Sequence, residues 1–257
     1  MTKKSKAFAP LGLLLFLVAG WELAVRTERV EAWLLPAPSA IYEAWTASVD
    51  RTLSHLGATV EIALSGLGCG LLVGLLLASL FHLSSLLRDL FQPLVVLSQN
   101  IPMIALAPLL VMWLGFGAAP KILVVAIACF FPIAVATMDG FRQTDRTLLT
   151  YMRLAGATRW QQFIKLEWPS ALPSFFSGLK LAATYSVMGA VIAEWLGAKE
   201  GLGVMMQLAS ASFRTDRVFL AMFFIAGVSL LLYAIITLVE RWVIRWQRPR
   251  MKGGVPR

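Results

Sequence analysis

The chain has 257 residues, of which 58% are hydrophobic and 14% are charged, and its formal net charge is +9. A soluble domain carries about a quarter charged residues, so this composition excludes an ordinary soluble protein and indicates a polytopic membrane protein. The positive charge does not indicate nucleic-acid binding. The lysines and arginines stand at the ends of apolar segments, where they set membrane topology and meet anionic lipid.

The sequence predicts an all-α fold in one transmembrane domain over residues 1–257, with six spans. A membrane helix needs about 20 apolar residues. The first segment resembles a secretory signal peptide, since three lysines precede it and Val18-Ala19-Gly20 has the form of a cleavage site. We favour an uncleaved helix, because apolar residues continue to Val25. The spans are placed at roughly 9–25, 56–80, 91–114, 121–139, 174–196 and 218–240.

The third span contains Pro102 and Pro108, and the polar run Ser98-Gln99-Asn100 precedes the first proline. Proline is tolerated in a membrane helix where neighbouring groups or a cavity satisfy the freed carbonyl groups. We therefore expect both prolines to break this span, with Gln99 and Asn100 beside a cavity.

The connection at about 144–168, between the fourth and fifth spans, has the signals of a folded hairpin. Thr144 and Asp145 can cap a helix that ends near Ala155, and Gly156 stands where a C-terminal glycine is expected. Thr158 and Gln161 have the spacing of a capping box, which predicts a second short helix that Pro169 ends.

The excess of lysine and arginine places this hairpin and both termini in the cytosol. Apolar side chains there need a cover, either the rest of the protein or a partner, and we favour a partner. These side chains are Leu148, Leu149, Met152, Leu154, Trp160, Phe163 and Ile164.

Three ionisable residues, Glu61, Lys180 and Glu194, lie in or at the rim of predicted spans, where charged groups usually face a bundle interior or water. For Glu61, an interfacial carboxylate and a pathway residue are equally open interpretations. Lys180 is expected to extend towards the cytosolic headgroups. Glu194 is the best candidate for a pathway residue, because Gly201 and Gly203 after it permit a tight re-entry. A plain interfacial turn is the alternative.

The sequence contains no catalytic or metal-binding motif, and only His55 and His82 offer an imidazole. We interpret both histidines as ordinary polar residues at helix ends. There is also no phosphate-binding loop, so the chain is expected to bind no cofactor and to leave any ATP hydrolysis to another polypeptide.

Together these residues resemble the permease subunits of binding-protein-dependent ABC importers. That family carries Glu-Ala-Ala-x-x-x-Gly, followed after nine residues by Ile-x-Leu-Pro. Here Gly156 is followed after nine residues by Leu166-Glu167-Trp168-Pro169, whereas Thr150-Tyr151-Met152 replaces the acidic-Ala-Ala run. This departure bears on the contacts that the family makes through that glutamate. It does not change the prediction of the hairpin.

Other segments resemble one branch of the family, which imports sulfonates, nitrate, taurine and thiamine precursors. The branch features are Leu35-Pro36-Ala37-Pro38-Ser39, Trp113-x-Gly115-x-Gly117 and Ala193-Glu194-Trp195-Leu196-Gly197-Ala198. Ser98-Gln99, the run 179–186 and the run 212–217 are most similar to permeases for the hydroxymethyl- or formylamino-pyrimidine precursor of thiamine, and riboflavin permeases are close to that pattern.

The resemblance implies a type I importer permease in the bacterial inner membrane. It implies a homodimer with the pathway between two copies, an outer substrate-binding protein, and a coupling helix that enters a groove on a cytosolic ATPase. The residues expected to contact the ATPase are Gly156, Ala157, Thr158, Arg159, Trp160 and Phe163. Those expected along the pathway are Gln99, Asn100, Tyr185, Met188 and Glu194.

The favoured cargo is a small, flat aromatic heterocycle. Tyr185 and Met188 lie at i and i+3 on one helix face and could flank a ring, or could simply pack between helices. A sulfonate or nitrate would need a fixed cation or helix N-termini aimed at the anion, and Lys180 is predicted too near the cytosol to supply a central cation. Two other classes stay open: a secondary transporter, disfavoured by the missing inverted repeat, and an intramembrane enzyme, disfavoured by the shortage of nucleophiles and bases.

Overall fold

The computed structural model describes residues 3–27, 31, 33–98 and 100–245, and within these ranges the regular elements are helical. A π-helical turn over Phe163–Glu167 joins α8 to α9. The helices are α1 (Lys3–Arg26), α2 (Pro38–Thr46), α3 (Val49–Leu83), α4 (Ser85–Ser98), α5 (Met103–Leu114), α6 (Ala118–Arg142), α7 (Arg146–Leu154), α8 (Arg159–Gln162), α9 (Trp168–Glu194), α10 (Leu202–Ala211) and α11 (Thr215–Val243).

Four helical stretches of the described chain are long and apolar enough to cross a membrane: α3, α6, the continuous stretch Arg159–Glu194, and α11. The pair α4 and α5 makes a fifth span if the two helices cross together. The predicted first span lies within α1, which is not among these candidates, so its crossing stays a prediction. The 36-residue stretch Arg159–Glu194 is roughly 54 Å long at 1.5 Å per residue, and therefore extends well beyond a ~30 Å hydrocarbon layer.

The core forms where α3, α6 and α9 meet at close range. Gly66, Gly70 and Gly74 recur every four residues on α3, the small-residue spacing that lets membrane helices approach. A Cβ at Gly70 would lie 2.6 Å from the Cβ of Cys129 on α6. One turn further along α6, a Cβ at Gly178 of α9 would lie 2.6 Å from the Pro132 carbonyl oxygen. Side chains larger than hydrogen would push these helices apart.

The third predicted span is broken, as expected, but at one proline and not two. α4 ends at Ser98, Pro102 stands at the N-cap of α5, and the two helix axes differ by 101°. The prediction for Pro108 is wrong, since this residue lies inside α5. Proline at a helix start loses no helical hydrogen bond, whereas a proline inside a membrane helix can be accommodated by neighbouring groups.

The prediction that Pro169 ends the second hairpin helix is also wrong. α8 continues through the π-helical turn into α9, and Pro169 occupies the first turn of α9. The Trp168 N–H donates to the Phe163 carbonyl oxygen in the π-helical pattern, so the chain stays helical up to Pro169. The hairpin is therefore fused to the third long span of the bundle.

Candidate functional site

A cavity of about 1120 Å³ opens beside the break between α4 and α5. α6 and α9 form its other walls, and two of the three predicted pathway residues on α9, Tyr185 and Met188, contribute to it. The lining residues are Ser98, Ile101, Pro102, Met103, Ile104, Leu106, Ile127, Ala128, Phe131, Pro132, Tyr185, Met188 and Ile192. The structure thus brings Tyr185 and Met188 together with the helix break, which the sequence could place only separately.

The other predicted pathway residues stand differently. Asn100 does not line the cavity, and its Nδ2 donates to the carbonyl oxygen of Val96 at 3.0 Å, which satisfies a carbonyl group at the end of α4. A broken helix leaves carbonyl groups that a nearby amide can bond, and the pathway role of Asn100 stays a prediction. Gln99 lies outside the described residues.

Glu194 does not line the cavity, and its pathway role stays a prediction. Its side chain is 1% exposed, and Oε2 accepts from the backbone N–H of Gly203 at 2.7 Å. His55 Nδ1 accepts from Gly201 N–H at 3.0 Å, and Thr59 Oγ1 accepts from Leu202 N–H at 2.8 Å. Three successive N–H groups at the start of α10 are therefore bonded by side chains of α3 and α9.

His55 and Gly201 show what the sequence alone did not reveal at this junction. His55 is buried in the second turn of α3 and holds α10, so the interpretation of an ordinary polar residue at a helix end is wrong. Gly201 has φ +138°, and a Cβ there would collide with the Glu194 carboxyl group. Gly201 has the positive φ that the sequence predicted and Gly203 does not, and the turn brings the backbone against Glu194, while a re-entry into the membrane stays a prediction.

The capping signals of the hairpin are confirmed. Asp145 accepts from the N–H groups of Thr147 and Leu148 at the start of α7, and Gly156 has φ +77°. Thr158 and Gln161 form a reciprocal capping box at the start of α8. Thr144, the other predicted cap, is buried, and its Oγ1 has no hydrogen-bond partner among the described residues.

The hairpin presents apolar side chains on an exposed surface. Leu154 is 80% exposed and Trp160 is 62% exposed, and both flank the turn at Gly156. Phe163 differs, since it is 8% exposed and packs against Phe141, whose ring centroid lies 5.5 Å away. The cover for Phe163 is therefore the protein itself, and this residue anchors the hairpin.

A buried carboxylate ties the hairpin to α3. Glu167 lies in the π-helical turn, its Oε1 accepts from Arg159 Nη1 at 2.6 Å, and its Oε2 lies 2.9 Å from His82 Nε2. The His82 ring stacks on Phe141 at 4.4 Å between centroids. Neither Glu167 nor His82 was predicted to act here, because the two residues are 85 positions apart in the chain. π-helical turns often stand at functional sites.

Comparison with known proteins decides the family. The family described as binding-protein-dependent transport system inner membrane component matches residues 70–249, which include the cavity and the hairpin. The chain belongs to this family. It is a permease, the membrane subunit of an ABC importer that works with an ATPase and a binding protein, and it is a transport subunit and not an enzyme.

Individual relatives cover nearly all of the permease. It is 36% identical over 250 residues to the formylaminopyrimidine transport permease protein ThiX of Halalkalibacterium halodurans, covering 96% of this chain and 99% of that protein. It is 33% identical over 240 residues to the riboflavin transport system permease protein RibX of Chloroflexus aurantiacus, covering 93% and 89%. A crystal structure of an amino acid ABC transporter with histidines aligns with a TM-score of 0.62 at 16% identity, over 79% of this chain and 97% of that one. The shared fold is that of type I importer permeases.

The ionisable residues inside the spans of the permease are placed apart from the cavity. Lys180 Nζ donates to Glu240 Oε2 at 2.9 Å and lies 5.8 Å from the centroid of the Tyr233 ring, so α9 and α11 share a largely buried ion pair. The prediction that Lys180 extends to headgroups missed this partner. Glu61 is exposed on α3 and does not belong to the lining of the cavity beside the helix break.

Proposed function

We propose that the permease carries a small, flat, uncharged aromatic heterocycle of the thiamine pyrimidine-precursor type. The observation that carries this proposal is the lining of the cavity: among its described lining residues none is charged, and Tyr185, Met188 and Phe131 offer faces to a planar ring. Sulfonate or nitrate would require a fixed cation or helix N-termini aimed at the anion; the described lining supplies no cation, and the one helix start that it contains is that of α5. The resemblance to a permease named for formylaminopyrimidine points to the same cargo.

The pathway is completed by a second copy of the permease. The cavity is open on one side, and exposed apolar residues at the end of α5 and beyond it, Met112, Trp113 and Phe116, lie on the surface of the single chain. Two copies facing each other through α5 and α9 would enclose the pathway between them. Small and apolar residues at such an interface provide the packing that drives helix association in lipid.

The hairpin docks on the ATPase through Gly156, Ala157, Thr158, Arg159 and Trp160. Exposed apolar groups outside the membrane require a cover, and Leu154 is 80% exposed, while Trp160 stays 62% exposed although its ring stacks on Phe163. The link from Arg159 through Glu167 to His82 supports a mechanical role, because displacement of the docked surface would be passed to α3 as well as to α9. The excess of basic residues on this side supports a cytosolic hairpin with both termini in the cytosol of a bacterial cell.

Growth of a thiamine-pyrimidine auxotroph tests the cargo. The strain carries the ATPase and binding-protein genes, and the permease gene is deleted or restored. Rescue on limiting pyrimidine precursor is expected only with the permease present. Met188→Trp should block the cavity and abolish rescue, whereas Met222→Trp on α11, which does not line the cavity, should leave growth unchanged. Rescue of taurine or sulfonate use, with no effect on the pyrimidine requirement, would refute the cargo.

Riboflavin is a second candidate, since it is also a planar heterocycle and RibX is a near relative. Radiolabelled uptake distinguishes the two. The proposal predicts that excess unlabelled riboflavin leaves pyrimidine-precursor uptake unchanged, and strong competition by riboflavin would reassign the cargo.

A further inference from the structure

A second cavity, of about 520 Å³, lies at the opposite end of the bundle from the hairpin. It is enclosed by the start of α3, the end of α10 and the start of α11. Arg51, Arg214 and Arg217 form its polar wall, and Leu208 belongs to its apolar floor. This cavity is separate from the pathway cavity, with which it shares no lining residue among those described.

Two of the three arginines of this cavity form no close ion pair within the described chain. Arg214 pairs with Asp216, with its Nη2 2.7 Å from Oδ2. Arg51 and Arg217 form no ion pair with any described residue, and the buried Nε of Arg217 has no hydrogen-bond partner there. A buried arginine nitrogen without an acceptor is costly, so its surroundings call for an anion.

The backbone and the side chains of this cavity favour one ligand chemistry. α3 begins at Val49 and α11 begins at Thr215, so the positive ends of two helix dipoles stand at the cavity together with the arginines, against the single negative end of α10. Guanidinium groups bind phosphate oxygens through paired hydrogen bonds. Ser48 and Thr52 add hydroxyl groups to the lining.

The position of the cavity favours a lipid as the source of the phosphate. Both α3 and α11 are candidate membrane spans, so their first turns lie near the headgroup level of the leaflet opposite the hairpin. Leu208 in the floor is an exposed apolar side chain beside the arginines. This combination suits a molecule with an anionic head and an apolar tail.

We propose that this cavity binds the phosphate group of an anionic phospholipid. The bound headgroup bridges the starts of α3 and α11 and thereby fixes α10, which packs against both helices. The bound lipid therefore stabilises the end of the permease that is farthest from the ATPase-facing hairpin. Free inorganic phosphate offers the same oxyanion without the tail, and the experiment separates the two.

The test uses the permease purified with its partner subunits in detergent. Phosphatidylglycerol, phosphatidylcholine or inorganic phosphate is titrated, and the midpoint of thermal unfolding and the lipid retained in native mass spectrometry are measured. Phosphatidylglycerol should raise the midpoint and be retained, and phosphatidylcholine should do so far less. Arg51→Gln and Arg217→Gln should each weaken the apparent affinity for phosphatidylglycerol about tenfold, the usual scale for one charge-assisted contact. Arg142→Gln, at the hairpin end, is the matched control and should change nothing.

A double Arg51→Lys/Arg217→Lys variant keeps the charge and should retain part of the affinity, which separates a binding defect from misfolding. Inorganic phosphate that displaces the lipid supports the oxyanion site. Equal protection by inorganic phosphate alone overturns the lipid assignment. Unchanged lipid affinity in the glutamine variants overturns the site. Unchanged lipid affinity with weaker binding of the substrate-binding protein would instead make the cavity a protein-docking surface.

Discussion

Nε2 of His82, in the last turn of α3, lies 2.9 Å from Oε2 of the buried Glu167 in the turn that leads into α9. Arg159 bonds the other oxygen of the same carboxylate. One side chain therefore joins the hairpin, α3 and α9, and any movement of the hairpin must carry or break these contacts. Removal of one partner of such a buried cluster leaves a charge with incomplete compensation.

The first prediction concerns this link. His82→Ala should lower stability by about 1–3 kcal/mol and reduce uptake more than ATP hydrolysis, because Glu167 loses one of its two partners. The measurement is the number of substrate molecules transported per ATP hydrolysed in proteoliposomes. Asp139→Asn, which removes only an exposed pair with Arg142, is the control. An unchanged ratio in His82→Ala would show that the cluster is only a structural anchor.

The second prediction concerns the turn of the hairpin. Gly156→Pro should separate hydrolysis from transport, because proline cannot adopt φ +77° and the Gly156 N–H bond to the Arg153 carbonyl oxygen would be lost. Membrane insertion should persist. Gly227→Ala, in the middle of α11 with open space around it, should behave as the unaltered protein. Normal uptake with substrate-stimulated hydrolysis in Gly156→Pro would contradict the coupling role.

The third prediction concerns the start of α10. Gly201→Ala should destabilise the permease by about 1–3 kcal/mol or more, since the added Cβ meets the Glu194 carboxyl group at a backbone conformation that side chains rarely adopt. The midpoint of thermal unfolding in detergent reports this change. Gly57→Ala, a helical site on α3 with no atom nearby, should keep or slightly raise the midpoint. Equal midpoints for the two variants would refute the packing argument.

The fourth prediction concerns the ion pair between α9 and α11. Lys180→Met should lower the unfolding midpoint, because the largely buried Glu240 loses its cation. The charge-swapped double variant Lys180→Glu/Glu240→Lys should recover part of the loss, whereas either single reversal should be worse than Lys180→Met. Additive effects of the two reversals in this double-mutant cycle would show that the pair contributes no coupling.

Local signals of this chain could be predicted from sequence, and contacts between distant segments could not. The Asp145 cap, Gly156 and the Thr158–Gln161 box each depend on residues within a few positions, so their spacing was sufficient. The partners Lys180 and Glu240 are 60 positions apart, and nothing in the sequence pairs them before α9 and α11 are packed.

Proline and glutamate show why position in a span was not enough. A proline can stand just after the end of one helix or in the first turn of the next, so sequence alone did not place Pro169. The continuous path through the π-helical turn puts it in the first turn of α9. The sequence places Glu194 near Gly201 and Gly203. The direction of its side chain, however, is set by the bond from the Gly203 N–H group, which the position of Glu194 in the span does not reveal. Tyr185 and Met188 were placed on one face by helical period alone, and the packing of α4, α5 and α6 set the cavity beside them.

The most direct test of the proposed transport function is uptake of radiolabelled formylaminopyrimidine into vesicles that contain the permease, the ATPase and the binding protein. We predict uptake that requires internal ATP, survives a protonophore, and is lost in Met188→Trp but not in Met222→Trp. Uptake that collapses with the proton gradient while ATP is unchanged, or that proceeds normally in Met188→Trp, would contradict this function.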